Sequence, residues 1–233
     1  MVNKTKSAFT LAEVLITLVI IGIVATLTIP TAINKYQKEQ TVSQLKQIYS
    51  QLNQAVRLAV PKYGEPSTWD YSISTSEFFD RYLTNFVTVK ELVYNANEVP
   101  YKGCNSNIEN GLLIMKSGSK IKVLNSGAMI FTRTDNNNVR RKGFVVDING
   151  FKGPNKFGRD TFFFYLLGTR GEIVAFQWDD GTDIISIDSY PSREKLKNGP
   201  SIQNYQCNKN GRGMWCAALI MADGWQIKDD YPW

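Results

Sequence analysis

From Phe9 to Ile33 the chain is apolar on every side except at Glu13. A helix of that length reaches roughly 37 Å, enough to cross a bilayer core. Beyond Pro30 the pattern becomes one-sided. Tyr36, Val42, Leu45, Ile48, Leu52, Ala55, Val56 and Ala59 recur at threes and fours, with Lys35, Lys38, Glu39, Lys46, Gln47 and Arg57 between several of them. This spacing predicts an amphipathic helix continuous with the apolar run, over residues 34–60 and ending before Pro61. Pro30 removes one backbone hydrogen bond and is expected to kink or loosen the helix there.

After a loop at "PKYGEPSTWDYS", Ser74 and Glu77 have capping-box spacing ahead of "FFDRYLTNF". Phe78, Phe79, Tyr82, Leu83 and Phe86 suit the buried side of a short helix there. From residue 111 the signal turns to strands. "GLLIM", "KIKVL", "GAMIFT", "GFVVDI", "TFFFYLL", "EIVAFQW" and "IISI" are short apolar or alternating runs divided by turns such as "KSGS", "NSG" and "GTRG" and by a polar loop at "TRTDNNNVRRK". Antiparallel pairing is the economical arrangement. The predicted class is α+β: a long N-terminal helix, half membrane and half amphipathic, packed on a small antiparallel sheet within a globular head over residues 61–233.

Composition narrows the function. The chain of 233 residues is 43% hydrophobic and 12% aromatic, which argues for a folded domain rather than disorder. The net charge of +6 is a mild bias; solvated surface charge explains it as well as an anionic partner, and nucleic acid is the weaker alternative. Histidine is absent, which removes the commonest general base and zinc ligand and lowers the prior for an enzyme. Lys4 and Lys6 precede the apolar run, so the positive-inside tendency leaves the N-terminus in the cytoplasm and carries the head across the membrane. There a disulfide can persist. Of the three cysteines, Cys207 and Cys216 bracket a short glycine-containing loop and are the first choice for a bridge, with Cys104 unpaired; three reduced thiols are the alternative.

A carboxylate well inside a membrane helix costs about 2.5 to 3.5 kcal/mol, so Glu13 calls for a partner unless it sits near enough to the interface to reach water. Cleavage between Ala8 and Phe9 would create one, the new α-amino group of Phe9, which in an assembly of identical chains could pair with a neighbour's Glu13. "KSAFTLAEVLITLVIIGIVATLTIP" resembles the N-terminal signal of type IV pilins and type II secretion pseudopilins: a short basic leader, a small residue, Phe, then an apolar helix with Glu four residues on. The resemblance implies that a prepilin peptidase cuts residues 1–8 away before Phe9 and methylates its amine. It also implies that Glu13 sets subunit register in a helical filament, and that Gly22 through Pro30 is a stretch able to lose helicity on assembly. Ala8 departs from the family's usual glycine, which bears on processing efficiency. An ordinary secretory signal is the rival, but "TIPTA" is a poor cleavage site and would leave the amphipathic continuation unexplained.

In the head, "DINGFKGPNKFGRD" offers Asp147, Asn149 and Asp160 as oxygen ligands of the type calcium prefers, and some pseudopilins bind calcium in a head loop. The alternative is a structural loop of Asx turns. "WDDGTD" is read as a hairpin turn before a metal site, and Arg140, Arg141 and Lys142 as a weak phosphate cluster. Trp178, Trp215, Trp225 and Trp233 are read as core before partner surface. No cofactor is required, calcium being the candidate. The resemblance implies a pseudopilin or minor pilin of a type II secretion system or pilus, with a DNA-uptake pseudopilus or a membrane-anchored extracytoplasmic binding module as alternatives. Its expected partners are prepilin peptidase, other pilin subunits and an inner-membrane assembly platform. Its expected location is the bacterial inner membrane, single-pass, before a filament at the cell surface.

Overall fold

The structure, a computed structural model, describes residues 9–87, 89–95, 120–132, 141–177, 191–201 and 204–233. Ala8, Cys104, Arg140, Trp178 and the segments "GLLIM", "WDDGTD" and "IISI" lie outside the described residues. The chain divides into two units, Met1–Gln40 and Thr41–Trp233.

Helix α1 runs without a break over Leu11–Tyr63 and contributes to both units. It passes through Pro30, and it also passes Pro61, where the sequence predicted its end. A proline in the last turn deletes only one donor; the stop comes at Gly64, whose φ of +79° turns the chain out of the helix. The Gly64 N–H still reaches the Val60 carbonyl at 2.9 Å, and the Trp69 indole donates to the Gly64 carbonyl at 2.8 Å.

Within the second unit the α1 positions expected to be apolar are buried: Leu45, Ile48, Leu52, Ala55, Val56 and Ala59. They join one core with a six-stranded antiparallel sheet in sequence order. Its strands are β1 (Val89–Asn95), β2 (Lys120–Leu124), β3 (Met129–Thr132), β4 (Arg141–Asp147), β5 (Thr161–Leu167) and β6 (Glu172–Ala175). The α+β class is the one expected, although β1 was not foreseen and β4 starts two residues before the predicted run. Tyr49 packs 6.2 Å from the Phe164 ring, and further along α1 the Asn53 side chain accepts the Ile173 N–H at 3.2 Å. On the other face of β5, Phe163 and Tyr165 meet Phe176, which meets Tyr205 and through it Trp215. The sheet is therefore covered on both sides, which is why β5 reads as a near-continuous apolar run.

The short helix α2 (Thr75–Phe78) carries the expected capping box: Ser74 accepts the Glu77 N–H at 3.2 Å, and Glu77 accepts the Ser74 N–H at 3.1 Å. It continues as a wider turn, Phe79–Leu83, and a tighter one, Thr84–Phe86, with Phe78, Phe79, Tyr82 and Leu83 buried. Buried Lys122 on β2 forms an ion pair with Asp80 of this segment.

The chain after residue 191 forms helices α3 (Arg193–Asn198) and α4 (Cys216–Ala222). A disulfide joins Cys207 to Cys216, with Cα atoms 4.8 Å apart. Arg193 clamps the C-terminal tail: its Nε donates to Asp223 at 2.8 Å and its Nη1 to Asp230 at 2.7 Å, while Lys197 reaches Asp230 at 2.6 Å. Arg193 first and Lys197 second hold the Asp230 carboxyl far below its ordinary 3.8. A carboxyl depressed in the folded state stabilises above its unfolded pKa and loses that contribution as pH falls through the folded value. The difference in Tm between the wild-type chain and Asp230→Asn is thus expected to be constant near neutrality and to shrink steadily below pH 3.8, measured by thermal unfolding across an acid series. A difference that stays constant into strong acid would mean the clamp does not act through this charge.

Candidate functional site

The candidate site is the start of α1. Thr10 stands immediately before the helix, and Glu13 is its third residue. The Glu13 Oε2 accepts both the Thr10 N–H at 2.8 Å and the Thr10 hydroxyl at 2.7 Å, while the Glu13 N–H donates to the Thr10 Oγ1 at 3.2 Å. This is a reciprocal capping box, with the threonine and the glutamate each satisfying an N–H that the helix leaves open. The T-x-x-E spacing, the same as at Ser74 and Glu77, carries the signal for this cap, beside the charged partner or the reach to water expected for Glu13. The carboxylate, four residues beyond Phe9, is therefore held back at the helix mouth beside Thr10, on the side where a new α-amino group would be made.

Along the rest of the apolar run the helix satisfies its own polar atoms. The hydroxyls of Thr17, Thr26 and Thr28 donate to the carbonyls of Val14, Ile23 and Val24 at 2.8–2.9 Å. Back-bonding of this type lets threonine sit in hydrocarbon without an unsatisfied hydroxyl. Thr28 and Pro30 lie within one turn, so this stretch combines a missing N–H with a carbonyl already engaged by a side chain. Phe9 is 88% exposed and Leu27 71%, and the run is long and apolar enough to cross a membrane by length and composition. A Cβ built on Gly22 would meet nothing within 4 Å, so no contact among the described residues demands a glycine there.

In the head, the proposed oxygen ligands Asp147, Asn149 and Asp160 are brought together by the strand ends and the loop between them. Asp147 is fully buried, and its Oδ1 accepts the N–H groups of Asn149 at 3.0 Å and Gly150 at 2.8 Å, forming an Asx turn. Gly150 has φ +71°, and a Cβ there would sit 2.4 Å from the Gly127 carbonyl oxygen, so the turn requires glycine. Asp160 accepts the N–H of Asn155 at 2.7 Å, that of Lys156 at 2.5 Å and the Asn149 amide at 3.3 Å. Among the described residues no three His, Cys, Asp or Glu side chains gather into a metal-binding group. Asp160→Asn would turn an amide N–H toward one of these donors, and is expected to destabilise the head by about 2–3 kcal/mol. Thermal unfolding with and without calcium checks it: the loss should be the same in both, and a calcium-dependent gain confined to the wild type would instead identify the loop as a calcium site.

The phosphate cluster does not form as expected. Lys142 is only 1% exposed and donates to the carbonyls of Tyr71 and Ile73 at 2.9 and 2.5 Å, because β4's alternation places it on the same inward face as Phe144. Arg141 lies over the Tyr165 ring at 5.3 Å. Of the tryptophans named from the sequence, Trp215 is buried, and Trp225 and Trp233 pack partly buried against the core.

Residues 31–233 match the model of a family of unknown function (DUF6613), and residues 3–29 match the model of the prokaryotic N-terminal methylation motif. No curated protein and no solved structure matches the chain.

Proposed function

This chain belongs to the family of unknown function matched over residues 31–233, with a type IV pilin-like methylation motif ahead of it, and from that premise we propose that it is a pseudopilin or minor pilin. In this reading it is a structural subunit rather than an enzyme. It waits in the inner membrane with its head outside the cytoplasm, is cut between Ala8 and Phe9 by prepilin peptidase, and enters a filament on an assembly platform that serves type II secretion or a pilus. The observation that carries the reading is the motif at residues 3–29, joined to a capped, exposed apolar helix whose only acidic residue up to Ile33 is Glu13.

The physical logic is a transfer between two apolar surroundings. Leaving lipid for a bundle of like helices gains little from the hydrophobic effect, so dispersion packing and polar pairing must supply the specificity. An α-amine on Phe9 and a carboxylate on Glu13 would supply one charge pair per subunit contact, in a medium where an unpaired charge is costly.

The test is the intact mass and N-terminal sequence of the protein recovered from membranes of its host. A chain beginning at Phe9 with one added methyl group is expected. A chain beginning at Met1, or one released by cutting near Ile33, would overturn the reading.

A further inference from the structure

The loop between β4 and β5 carries more than its hydrogen bonds explain. Asp160 and Asp147 draw its backbone inward, and the sequence at its tip, Phe151, Lys152, Gly153 and Pro154, is left exposed together with Lys156. Phe151 is 51% exposed, whereas every other phenylalanine whose exposure is described in the head is buried or partly buried. Among the described residues, neither Lys152 nor Lys156 has an ion pair. The two nearest acids in sequence, Asp147 and Asp160, are buried and occupied by N–H groups.

The position of this tip follows from the head alone. Thr41 Oγ1 lies 3.5 Å from the Arg159 carbonyl oxygen; further on, Tyr49 meets Phe164, and Asn53 meets Ile173, the partner of Leu166. Helix α1 and strand β5 therefore advance together, and the end of the head that holds the β4–β5 loop is the end at which α1 enters it. The C-terminal tail closes on the same end, with the Tyr231 hydroxyl donating to the Gly158 carbonyl and Arg159 lying 5.2 Å over the Trp233 ring. Thr41 follows the last apolar residue of the membrane run, Ile33, by so few residues that even a fully extended chain places it within about 30 Å of the bilayer.

We propose that the tip at residues 151–156 is a membrane-surface contact, with Phe151 entering the headgroup boundary and Lys152 and Lys156 pairing with anionic lipid phosphates. An exposed aromatic followed by lysines that have no ion pair among the described residues is the chemistry that an anionic interface recognises. The contact would hold the head against the inner membrane before assembly, and would have to be released when the subunit leaves the bilayer. The proposal rests on residues 9–33 spanning the membrane.

The full chain, placed in nanodiscs of phosphatidylcholine alone or of phosphatidylcholine with phosphatidylglycerol, tests it. Hydrogen exchange is read at the amides of Phe151, Lys152 and Gly153. Exchange about tenfold slower in the anionic discs is expected, the order of effect that two lysines at such a surface provide. The double variant Lys152→Glu, Lys156→Glu should abolish the difference while leaving exchange in β5 unchanged, and Phe151→Ser should reduce it. Equal exchange in the two lipids, with the chain retained in both disc fractions, would overturn the loop proposal and leave the membrane reading standing. Slowing that depends on several copies per disc and not on lipid charge would overturn it in favour of a contact between subunits. Failure of the chain to enter discs of either lipid would remove the membrane reading and this proposal with it.

Discussion

Subunits carrying Glu13→Ala are expected to be cut before Phe9 as efficiently as the wild type and yet to enter filaments about tenfold less or worse. A factor of ten corresponds to only ~1.4 kcal/mol, well below what an amine left without its carboxylate costs in a low-dielectric bundle. The cap at Thr10 makes this test sharper, because in the proposed reading Glu13 would have two roles that different substitutions separate. As an acceptor it caps the helix through Thr10, and as an anion it would pair with the amine of a neighbouring chain. Glu13→Gln keeps an acceptor oxygen for the Thr10 N–H and hydroxyl but carries no charge. Thr10→Ala keeps the charge and loses the reciprocal cap, worth about 1 kcal/mol of helix stability. The expected order is that Glu13→Gln fails nearly as badly as Glu13→Ala, whereas Thr10→Ala assembles with a modest loss. The measurement is the filament-bound fraction of each processed variant. If Glu13→Gln assembled like the wild type, the carboxylate would be a helix cap and the pairing with Phe9 would have no part in assembly.

How far the sequence carried the fold depends on where local and tertiary signals agreed. At α1 the change from an all-round to a one-sided apolar pattern marked where the exposed apolar run gives way to the buried face, because each periodicity has a single physical cause. The helix outruns its predicted end because a proline in the last turn costs one donor only, and the stop at Gly64 rests on a positive φ that no periodicity marks. The strands β2 to β6 announced themselves through apolar runs between glycine turns, whereas β1, "VKELVYN", mixes a lysine and a glutamate into its run and gives no clean alternation. Helices α3 and α4 are too short for periodicity to register. The tail that includes them is held by Arg193 contacts to Asp223 and Asp230, 30 and 37 residues away, which no local pattern announces.

The candidate site was legible in its residues and not in its geometry. Phe9, Glu13, Gly22 and Pro30 could be named from spacing and resemblance, but the grip of Thr10 on Glu13 is a side-chain fact. Lys142 shows the opposite failure: beside Arg140 and Arg141 it read as one of three surface cations, and only the strand register reveals that it points inward.

That inward lysine carries the second large prediction. Lys142→Ala is expected to destabilise the head by about 3–5 kcal/mol, a value reserved for buried networks and core truncations. Its ammonium donates to two main-chain carbonyls, Tyr71 and Ile73, in the segment that leads into the Ser74 capping box, and lies 5.9 Å from the Phe78 ring. Truncation would leave both carbonyls without this donor, at about 1–3 kcal/mol each where water cannot replace it, and would open a void along the buried stem. Lys142→Met isolates the polar part, since it fills the stem volume and restores no donor. It should recover the packing and still lose about 2 kcal/mol. Thermal or urea unfolding of the detergent-solubilised chain gives both values. Hydrogen exchange should place the loss in residues 69–78, because that segment would lose its tether to β4. If both variants unfolded like the wild type, the 69–74 segment would be held by its other contacts, such as the Trp69 indole on the Gly64 carbonyl and the Ser74 capping box, and β4 would not need a charged residue at its inward position. The expected result instead makes Lys142 a structural cation whose full burial withholds it from any phosphate, so that the cations left to meet a polyanion in this part of the chain are those on loops such as Lys152 and Lys156.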